Sequence, residues 1–447
     1  CFMKKQGMDR RSFMKQVAAA SVAGPLILPN LSFASSANGR LQHAAIGVGG
    51  QGTSDLGNIS SHKLVDVVAL CDIDSERLTV ASQRFPKARL YSDWRVMLDA
   101  EEGHIDSVNV STPDHTHAPA SMSAIKNGLH VYCEKPLTHE VYETRKVTEA
   151  AREQGVATQM GNQIHSHEFY RTAVHWVKEG AIGKVKAWHS WCGATYSNET
   201  KLRPAGEDPI PANVDWDLWI GVGQMRPYKH DTYHPFKWRN SREFGGGATG
   251  DFGCHIFDPV FSAIDVNTPL SIKSIAESNS DDIHPAWVEN EYLFKGTDWT
   301  VDDTIVGTWR DGGKKPETSV SPHLPKGFQL PASGSLLIGE EGTLLIPHVD
   351  KPSLYPLNKF EKYPKPKLAP LSHYHDFVEA ALGNVVAGSN FDFAGPLTEA
   401  VLLGNVANRF PGETLQWDAK NLKFTNFDAA NALLQRNYRK GFKVRGL

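Results

Sequence analysis

Residues 43–52 read His-Ala-Ala-Ile-Gly-Val-Gly-Gly-Gln-Gly, and this stretch decides the fold of the first half of the chain. An apolar run leads into glycines at positions 47, 49 and 52, which have the spacing G-x-G-x-x-G, and a helix can follow them. Glycine suits a tight turn that a pyrophosphate approaches closely, and the following helix N-terminus offers unpaired N–H groups. The alternative is a glycine-rich turn without a ligand. We expect a dinucleotide to bind at Gly47, Gly49, Gly50, Gln51 and Gly52.

Short apolar runs alternate with helical segments around and after this turn. The predicted strands are His43–Gly49, Leu64–Cys71, Ser107–Ser111, His130–Cys133 and Val156–Met160. The predicted helices are Ser75–Phe85, Ala118–Asn127 and Val141–Gln154. Alternation of strands and helices at this spacing indicates a parallel sheet with crossover helices.

Asp72 directly follows the second predicted strand and lies 20 residues after Gly52. An acid at this distance accepts hydrogen bonds from the ribose of a bound dinucleotide. Its charge repels the 2′-phosphate of NADP, so Asp72 favours NAD as the cofactor. The alternative is an Asp that is unrelated to the glycine turn.

Polar clusters follow two later strands of the predicted sheet. Ligands of such sheets bind beyond the carboxyl ends of the strands, so both clusters are expected to face the cofactor. For Lys135 the alternative is a solvated loop lysine. We predict cofactor contacts for Thr112, Pro113, His117, Glu134 and Lys135.

The second half of the chain is less regular, but it contains one polar pair on a helix. Gly245-Gly246-Gly247 precedes a helix predicted to begin near Thr249, which can serve as its N-cap. Asp251 and His255 are four residues apart, so they lie on one face and can share a substrate hydroxyl. The alternative is a helix-start Asp and a buried structural His. Asp258 is left out of this pair because Pro259 follows it.

These motifs together resemble the Gfo/Idh/MocA family of oxidoreductases. The resemblance rests on Gly47–Gly52, Asp72, Thr112-Pro113 with His117, Glu134-Lys135-Pro136 and Gly250–Asp258. Trp216–Gly221, Trp238-Arg239 and Asn437–Gly441 resemble a subgroup with many exported members. The resemblance implies an α/β protein. Its Rossmann NAD-binding domain would span residues 41–162, and a C-terminal domain, residues 163–447, would hold a large open, mostly antiparallel sheet.

The resemblance also implies roles for particular residues of these motifs. The three catalytic residues would be Lys135, Asp251 and His255. We assign His255 as the general base because an imidazole titrates near neutral pH. Lys135 would stabilise the developing alkoxide, and Asp251 would orient His255 or a neighbouring hydroxyl. We expect the substrate to contact His117, Gln163, Trp238 and Arg239.

Three functions are compatible with these residues. The first is transfer of a hydride between a sugar or glycoside hydroxyl carbon and a tightly bound NAD(P), with NAD favoured. The second is redox-neutral glycoside cleavage through a transient 3-keto sugar. The third is an exported sugar-binding protein without catalysis. The family often uses its open sheet as an oligomer interface, so we also expect a homo-oligomer.

The N-terminal segment is expected to direct export. Arg10-Arg11 with Ser12, Phe13 and Lys15 resembles a twin-arginine signal, and the apolar run 17–31 follows it. We interpret residues 1–34 as a signal segment that is cleaved after Ala34, which predicts the twin-arginine export machinery as a partner and a periplasmic location. An ordinary secretory leader or a hydrophobic helix are the alternatives. The run is too short and interrupted for a stable membrane span.

Composition excludes some other classes of protein. The formal net charge of −3 argues against nucleic-acid binding, which needs a strong basic excess. The five cysteines form no C-x-x-C pair, which favours buried free thiols over a disulfide framework or a zinc site. His165 and His167 have no third ligand at a convincing spacing, so no metal is expected.

Overall fold

The computed structural model describes residues 39–198, 200, 202–277 and 280–447, and the described residues belong to one compact unit. The predicted signal segment, residues 1–34, lies outside the described residues. The strands of the first domain are β1 (Leu41–Ile46), β2 (Val65–Cys71), β3 (Arg89–Tyr91), β4 (Ser107–Val110), β5 (His130–Cys133) and β6 (Thr158–Met160). Its helices are α1 (Gln51–Ile59), α2 (Ser75–Arg84), α3 (Trp94–Ala100), α4 (Asp114–Lys126) and α5 (Val141–Gln154).

The first sheet is parallel throughout its described strands and has the order β3-β2-β1-β4-β5-β6. The chain reverses its direction of winding between β1 and β4, and the carboxyl ends of these two central strands border a crevice. This is the Rossmann arrangement that the glycine turn and the alternating pattern predict. The predicted bounds of β5 and α5 agree with the structure residue for residue.

Two differences from the predicted elements in this domain have local causes. Helix α4 begins at Asp114 and not at Ala118, because Pro113 is its N-cap and the polar residues 114–117 form its first turn. The strand β3 and helix α3 were not predicted. β3 is three residues long and partly exposed, so it has no apolar run that a sequence pattern could show.

The second domain contains the remaining strands and helices. Its strands are β7 (Val185–Trp191), β8 (Ser271–Ala276), β9 (Val288–Lys295), β10 (Thr304–Arg310), β11 (Gly334–Gly339), β12 (Thr343–Pro347), β13 (Ser353–Tyr355), β14 (Thr414–Asp418) and β15 (Lys423–Phe424). Its α-helices are α6 (Glu168–Lys178), α7 (Trp216–Ile220), α8 (Gly247–Ile264), α9 (Leu357–Phe360), α10 (His373–Ala381), α11 (Phe391–Ala407) and α12 (Asp428–Asn431). Short 3₁₀ helices cover Gln163–Ser166, Lys237–Asn240 and Thr318–Val320.

These strands form a mixed sheet in the order β13-β12-β11-β7-β10-β9-β8-β14-β15. Among the described pairs only β7 and β10 are parallel, so the expected mostly antiparallel sheet is confirmed. One face packs on α8, where Phe257 meets the rings of Trp188, Tyr292 and Trp309 edge-on. This buried aromatic cluster anchors the helix that carries the predicted Asp–His pair.

The start of α8 differs from the prediction. The helix begins at Gly247 with Gly246 as its N-cap, so Thr249 is not the N-cap. The Thr249 hydroxyl instead donates to Asp311 Oδ2 at 2.8 Å. The earlier start is stabilised from the first domain, because the Gly246 N–H donates to Asp114 Oδ2 at 2.9 Å. Pro259 does not end the helix, which continues to Ile264.

The last long helices pack back on the first domain. α11 contacts both α5 and α8, and Arg145 of α5 donates to the Glu399 carboxylate of α11 at 2.7 Å. Tyr374 of α10 stacks on Tyr132 of β5. Both domains therefore share packed surfaces next to the crevice.

Two further properties hold for the described part of the chain. None of its helices has both the length and the hydropathy of a membrane span. The four cysteines within it, Cys71, Cys133, Cys192 and Cys254, are buried free thiols, which confirms that expectation for these four.

Candidate active site

The glycine turn at the end of β1 has a backbone conformation in which a side chain at Gly47 or Gly52 would displace neighbouring backbone atoms. Gly47 has φ +83°, and a Cβ added there would lie 2.5 Å from the Ser111 carbonyl oxygen. A Cβ on Gly52 would overlap the Gly47 carbonyl oxygen. Gly50 also has a positive φ, and α1 begins at the next residue. The turn thus presents bare backbone and a helix N-terminus, which is the cradle that a dinucleotide pyrophosphate requires.

Asp72 lies at the end of β2, beside this turn. Its carboxylate accepts hydrogen bonds from the N–H of Val48 at 2.9 Å and of Asp74 at 3.0 Å. Burial raises the pKa of Asp72, and these two N–H donors act in the opposite direction. The carboxylate is therefore oriented by one N–H of the glycine turn and one N–H of the loop after β2, with lone pairs left for a ribose.

A cleft of about 440 Å³ connects the glycine turn with the second domain. Its volume lies in the range of ligand sites, about 300–1,000 Å³. Of the predicted contacts, those that line it are Gly47, Gly49, Gly50, Gln51, Asp72, Thr112, Pro113, Trp238 and Arg239. Gly52 lies behind the turn, against the Gly47 carbonyl, and Lys135 does not line the cleft but bonds to Asp251. Most of the predicted cofactor residues thus share one cleft, and these residues fit NAD.

Replacing Asp72 with serine is expected to weaken NAD binding about tenfold or more and to lower the preference for NAD over NADP by a similar factor. The change removes the charged acceptor for the ribose hydroxyls, and a hydrogen bond to a charged group contributes about 1.5–3 kcal/mol. Arg77 lines the same cleft and can then face a 2′-phosphate. Fluorescence titration with both nucleotides measures the effect, with the surface variant Asp392→Ser as control. An unchanged NAD-to-NADP ratio would contradict this role.

Lys135 and Asp251 come from different domains and meet side chain to side chain. Lys135 follows β5, Asp251 lies in the second turn of α8, and the Lys135 ammonium bonds directly to Asp251 Oδ1. The same ammonium donates to the Asp251 carbonyl oxygen at 3.2 Å. The two side chains are only 13% and 14% exposed. The two motifs separated by 116 positions therefore converge.

Two more side chains hold the Asp251 carboxylate. The Tyr196 hydroxyl donates to its Oδ2 at 2.8 Å, and Arg239 Nε lies 3.6 Å from its Oδ1. Burial raises the pKa of Asp251, but the charges of Lys135 and Arg239 outweigh burial and hold that pKa well below its usual range. Burial lowers the pKa of Lys135, but chiefly the Asp251 charge outweighs it and raises that pKa. Lys135 is therefore held protonated and Asp251 ionised.

His255 lies one turn further along α8 and is half-buried. Its Nδ1 is buried without a hydrogen-bond partner among the described residues, and its ring centroid is 5.7 Å from that of His348. Burial, together with the charges of Lys135 and His348, holds the pKa of His255 well below 6.5. The imidazole is therefore neutral at neutral pH and able to accept a proton.

Of the two partners expected for Asp251, the structure shows a neighbouring hydroxyl, that of Tyr196, and not His255. Its carboxylate oxygens bond to Lys135 and Tyr196, and no hydrogen bond joins Asp251 to His255 in the described part of the chain. Sequence reasoning missed Tyr196 and His348. Both lie in loops that follow strands of the second sheet, and no spacing pattern connects them with α8. The His348 Nδ1 is 2.9 Å from the Tyr170 hydroxyl, which positions the ring.

The prediction that His117 contacts cofactor and substrate is wrong. The side chain is buried, with Nδ1 2.7 Å from the Pro136 carbonyl oxygen and Nε2 2.8 Å from the Thr112 carbonyl oxygen. Both ring nitrogens thus face carbonyl oxygens, one in the loop that follows β4 and one in the loop that follows β5. His117 positions these loops and has no polar atom left for a ligand.

Glu134 and Gln163 also lie outside the lining of the cleft. Gln163 Nε2 donates to Glu134 Oε1 at 2.5 Å and to the Tyr132 hydroxyl at 3.1 Å. Burial and the nearby Asp55 raise the pKa of Glu134 well above its usual value. The two side chains therefore bond to each other, and the expected cofactor contact of Glu134 and substrate contact of Gln163 stay predictions.

Asp258, which the sequence analysis left out, has a structural role. It is buried and lies 2.8 Å from His165 Nδ1. His165 is thus bonded to a carboxylate. Within the described residues no group of three or more His, Cys, Asp or Glu side chains is arranged to hold a metal ion.

Comparison with known proteins agrees with this site. The profile described as oxidoreductase family, NAD-binding Rossmann fold (GFO_IDH_MocA) matches residues 41–162, and that of the family's C-terminal alpha/beta domain matches residues 174–303. A levoglucosan dehydrogenase of Pseudarthrobacter phenanthrenivorans is 25% identical over 190 residues, which is 42% of this chain and 40% of that protein. A glycosyl hydrolase family 109 protein of Akkermansia muciniphila is 24% identical over 205 residues, 42% of this chain and 43% of that protein.

Solved structures share the fold over a larger part of the chain. The WlbA dehydrogenase of Bordetella pertussis, in complex with NADH and UDP-GlcNAcA, superposes with a TM-score of 0.60 at 17% identity and covers 85% of this chain and 99% of its own. The curated relatives above are matched over less than half of their own length. The glycine cradle, the Asp72 acceptor and the two matching profiles lead to one conclusion: the chain belongs to the Gfo/Idh/MocA family of NAD-binding oxidoreductases.

Proposed function

We propose that this protein transfers a hydride between a hydroxyl-bearing carbon of a sugar or glycoside and bound NAD. The observation that carries the proposal is the contact between a protonated Lys135 and an ionised Asp251, with a neutral His255 one helical turn away. A donor for an alkoxide oxygen and an acceptor for its proton are the two groups that such a reaction needs. The sugar-converting relatives support the substrate class.

In this mechanism the side chains handle the proton and its charge. NAD, held by Gly47, Gly49, Gly50, Gln51 and Asp72, supplies the hydride acceptor when bound. The Lys135 ammonium donates a hydrogen bond to the substrate oxygen and stabilises the negative charge that develops there. His255 accepts the hydroxyl proton. Asp251 keeps Lys135 charged and in place, and it does not itself take up the proton because its pKa is far below neutral.

The substrate is proposed to lie between Arg239 and His348. Arg239 lines the cofactor cleft and also reaches Asp251, and its guanidinium stacks on Trp238 and Phe236 at 4.3 Å. These stacked rings hold the guanidinium rigidly enough to orient a sugar hydroxyl. Trp238 and Arg239 remain in the proposed substrate wall, and Tyr196 and His348 join it.

We expect kcat/KM to change little as the pH is lowered from neutral to about 6. His255 must be neutral to act as a base, and its pKa is lowered well below 6.5, so the required form persists as pH falls through 6. We expect kcat/KM to stay nearly constant between about pH 6 and 8 and to decline only at lower pH. His255→Ala should abolish this acid limb together with most of the turnover. A limb centred near 6.5 or above would contradict the assignment.

A second candidate function is redox-neutral glycoside cleavage, which the similarity to a family 109 glycosyl hydrolase supports. Oxidation at C3 acidifies the C2 proton, the C1 substituent is eliminated, water adds, and the C3 ketone is reduced again. The Tyr196–Asp251 pair lies beside Lys135 and offers a second proton-transfer group.

One assay separates these functions. The purified protein is incubated with a panel of free sugars and aryl glycosides, with and without added NAD, while aryl alcohol release and reduced-cofactor absorbance are followed. Net absorbance gain supports oxidation, and aryl alcohol release without net gain supports cleavage. Sugar binding by calorimetry with neither signal would contradict both and identify a sugar-binding protein.

We also propose that the protein is exported in a folded state through the twin-arginine route, with the cofactor tightly held, and that it forms a homo-oligomer. The Arg10-Arg11 pair and its flanking residues support export. The exposed Ile275 and Val306 on the open sheet face support association.

Replacing both arginines, Arg10 and Arg11, with lysine is expected to leave uncleaved precursor in the cytoplasm. The exported wild-type protein should begin at Ser35 by mass spectrometry. A mature N-terminus far from Ser35 would contradict the cleavage site.

A further inference from the structure

A second cavity, of about 350 Å³, shares none of its lining residues with the cofactor cleft. Three arginines line it from three separate segments: Arg242 precedes α8, Arg409 follows α11, and Arg436 lies in the C-terminal segment. His139, just before α5, lines the same cavity. The proposed reaction uses none of these side chains.

Three nitrogen atoms around this cavity are buried without a hydrogen-bond partner among the described residues. They are His139 Nε2, Arg242 Nε and Arg436 Nη1. The His139 side chain is 7% exposed and the Arg436 side chain 12%. Leaving a charged donor buried without an acceptor is costly, so three such atoms around one cavity indicate an acceptor that the chain itself does not provide.

The nearby carboxylates do not balance this charge. Glu140 is the only carboxylate among the described lining residues, and it already serves both His139 Nδ1 at 2.9 Å and Arg436 Nε at 3.4 Å. Arg409 is paired with the exposed Asp281. Arg242 donates to the Asn408 side-chain oxygen at 3.0 Å and has no carboxylate within 4.0 Å in the described part of the chain.

The other acids near the cavity are also occupied. Glu243 accepts from Arg436 Nη2 at 2.9 Å and also pairs with Arg226 at 3.3 Å. Glu143 is buried and accepts from the Tyr438 hydroxyl at 2.7 Å. The lining therefore presents an excess of positive charge.

The protonation of these groups agrees with the geometry. Burial, followed by repulsion from Arg409, lowers the pKa of Arg242 to about 9. Burial lowers the pKa of His139, but the hydrogen bond and charge of Glu140 outweigh it and raise that pKa. A protonated His139 donates from both ring nitrogens, so Nε2 is a donor like the two guanidinium atoms.

We propose that this cavity binds a small oxyanion, either a phosphate ester or a polycarboxylate, with Arg242, Arg436 and His139 as its ligands. Guanidinium groups match the paired oxygens of both anions, and the charge excess requires more than one negative charge on the ligand. The volume suits a metabolite and is larger than a single ion needs.

The site lies against the segment that leads into the catalytic helix. His284 Nε2 lies 2.8 Å from the Gly245 carbonyl oxygen, and Asn405 Nδ2 donates to the Gly246 carbonyl oxygen at 2.8 Å. Both side chains line the cavity, and α8 with Asp251 begins at the next residue. A bound anion would therefore lie in the same cavity as the two side chains that hold this segment.

The test is calorimetric titration of the full chain, saturated with NAD so that the glycine turn is already occupied. Inorganic phosphate and citrate are the two probes, at an ionic strength held constant with NaCl. We expect one of them to bind with one-to-one stoichiometry, and the more tightly bound probe identifies the ligand class. Arg242→Gln should weaken that binding about tenfold or more. The control Arg152→Gln removes an arginine whose ion pair with Asp392 is largely exposed, and it should leave binding unchanged.

His139→Gln provides a second variant in case Arg242→Gln does not fold, which the thermal transition shows. It keeps a side chain that can donate but removes the charge, and it should also weaken binding. Two results would overturn the proposal: neither probe binds the NAD-saturated protein at millimolar concentration, or the folded cavity variants bind it as tightly as Arg152→Gln does.

Discussion

Replacing Lys135 with alanine is expected to lower kcat about a hundredfold to a thousandfold while NAD binding and the fold persist. The change removes the N–H donor that is proposed to face the developing alkoxide, and loss of one such donor has an effect of about this size. Arg239 stays 3.6 Å from Asp251, so the ionised carboxylate keeps a positive neighbour. Steady-state turnover and NAD titration measure the two properties.

Two variants control this experiment. Lys126→Ala removes an exposed lysine that pairs with Glu153, and it should leave turnover unchanged. Lys135→Arg keeps the charge and should retain more activity than Lys135→Ala. If kcat of Lys135→Ala stays within about tenfold of the wild-type value, the effect is below the range of a lost donor and Lys135 has no part in the mechanism.

Replacing Gly52 with alanine is expected to weaken NAD binding about a hundredfold or more and to lower the thermal transition. The new Cβ would overlap the Gly47 carbonyl oxygen, and a backbone atom cannot move aside without opening the turn. The turn would then no longer present its N–H groups to the pyrophosphate. NAD titration and thermal unfolding measure both losses.

Gly57→Ala is the matched control because it lies in the same helix, α1. Its Cβ would meet only the far end of the Arg84 side chain, which can move, and alanine is favoured over glycine in a helix. We expect normal NAD affinity in this variant. Near-normal affinity in Gly52→Ala as well would show that the turn does not bind the cofactor in the proposed way.

Local patterns in the sequence were sufficient to predict most of the first domain, although they did not show β3 and α3. The alternating apolar runs and the three glycines at 47, 49 and 52 predict the parallel sheet and its turn, and the bounds of β5 and α5 agree with the structure. Asp72 was predictable for the same reason, because its place at a strand end is set by the chain close to it. The spacing of Asp251 and His255 likewise placed both residues on one helix.

Hydrogen-bond partners across the fold were decided only by tertiary structure. The sequence left His255 and a neighbouring hydroxyl open as partners of Asp251, and only the fold shows that Asp251 bonds to Lys135 and to the Tyr196 hydroxyl. The sequence also placed His117 in the substrate wall, but packing has turned that ring toward two carbonyl oxygens. Periodicity reports which residues share a face of one element, because it follows from backbone geometry over a few residues. It carries no information on which distant side chain fills the space opposite. That choice follows from how the two domains pack, and it is why the arginine-lined cavity had no sequence signature.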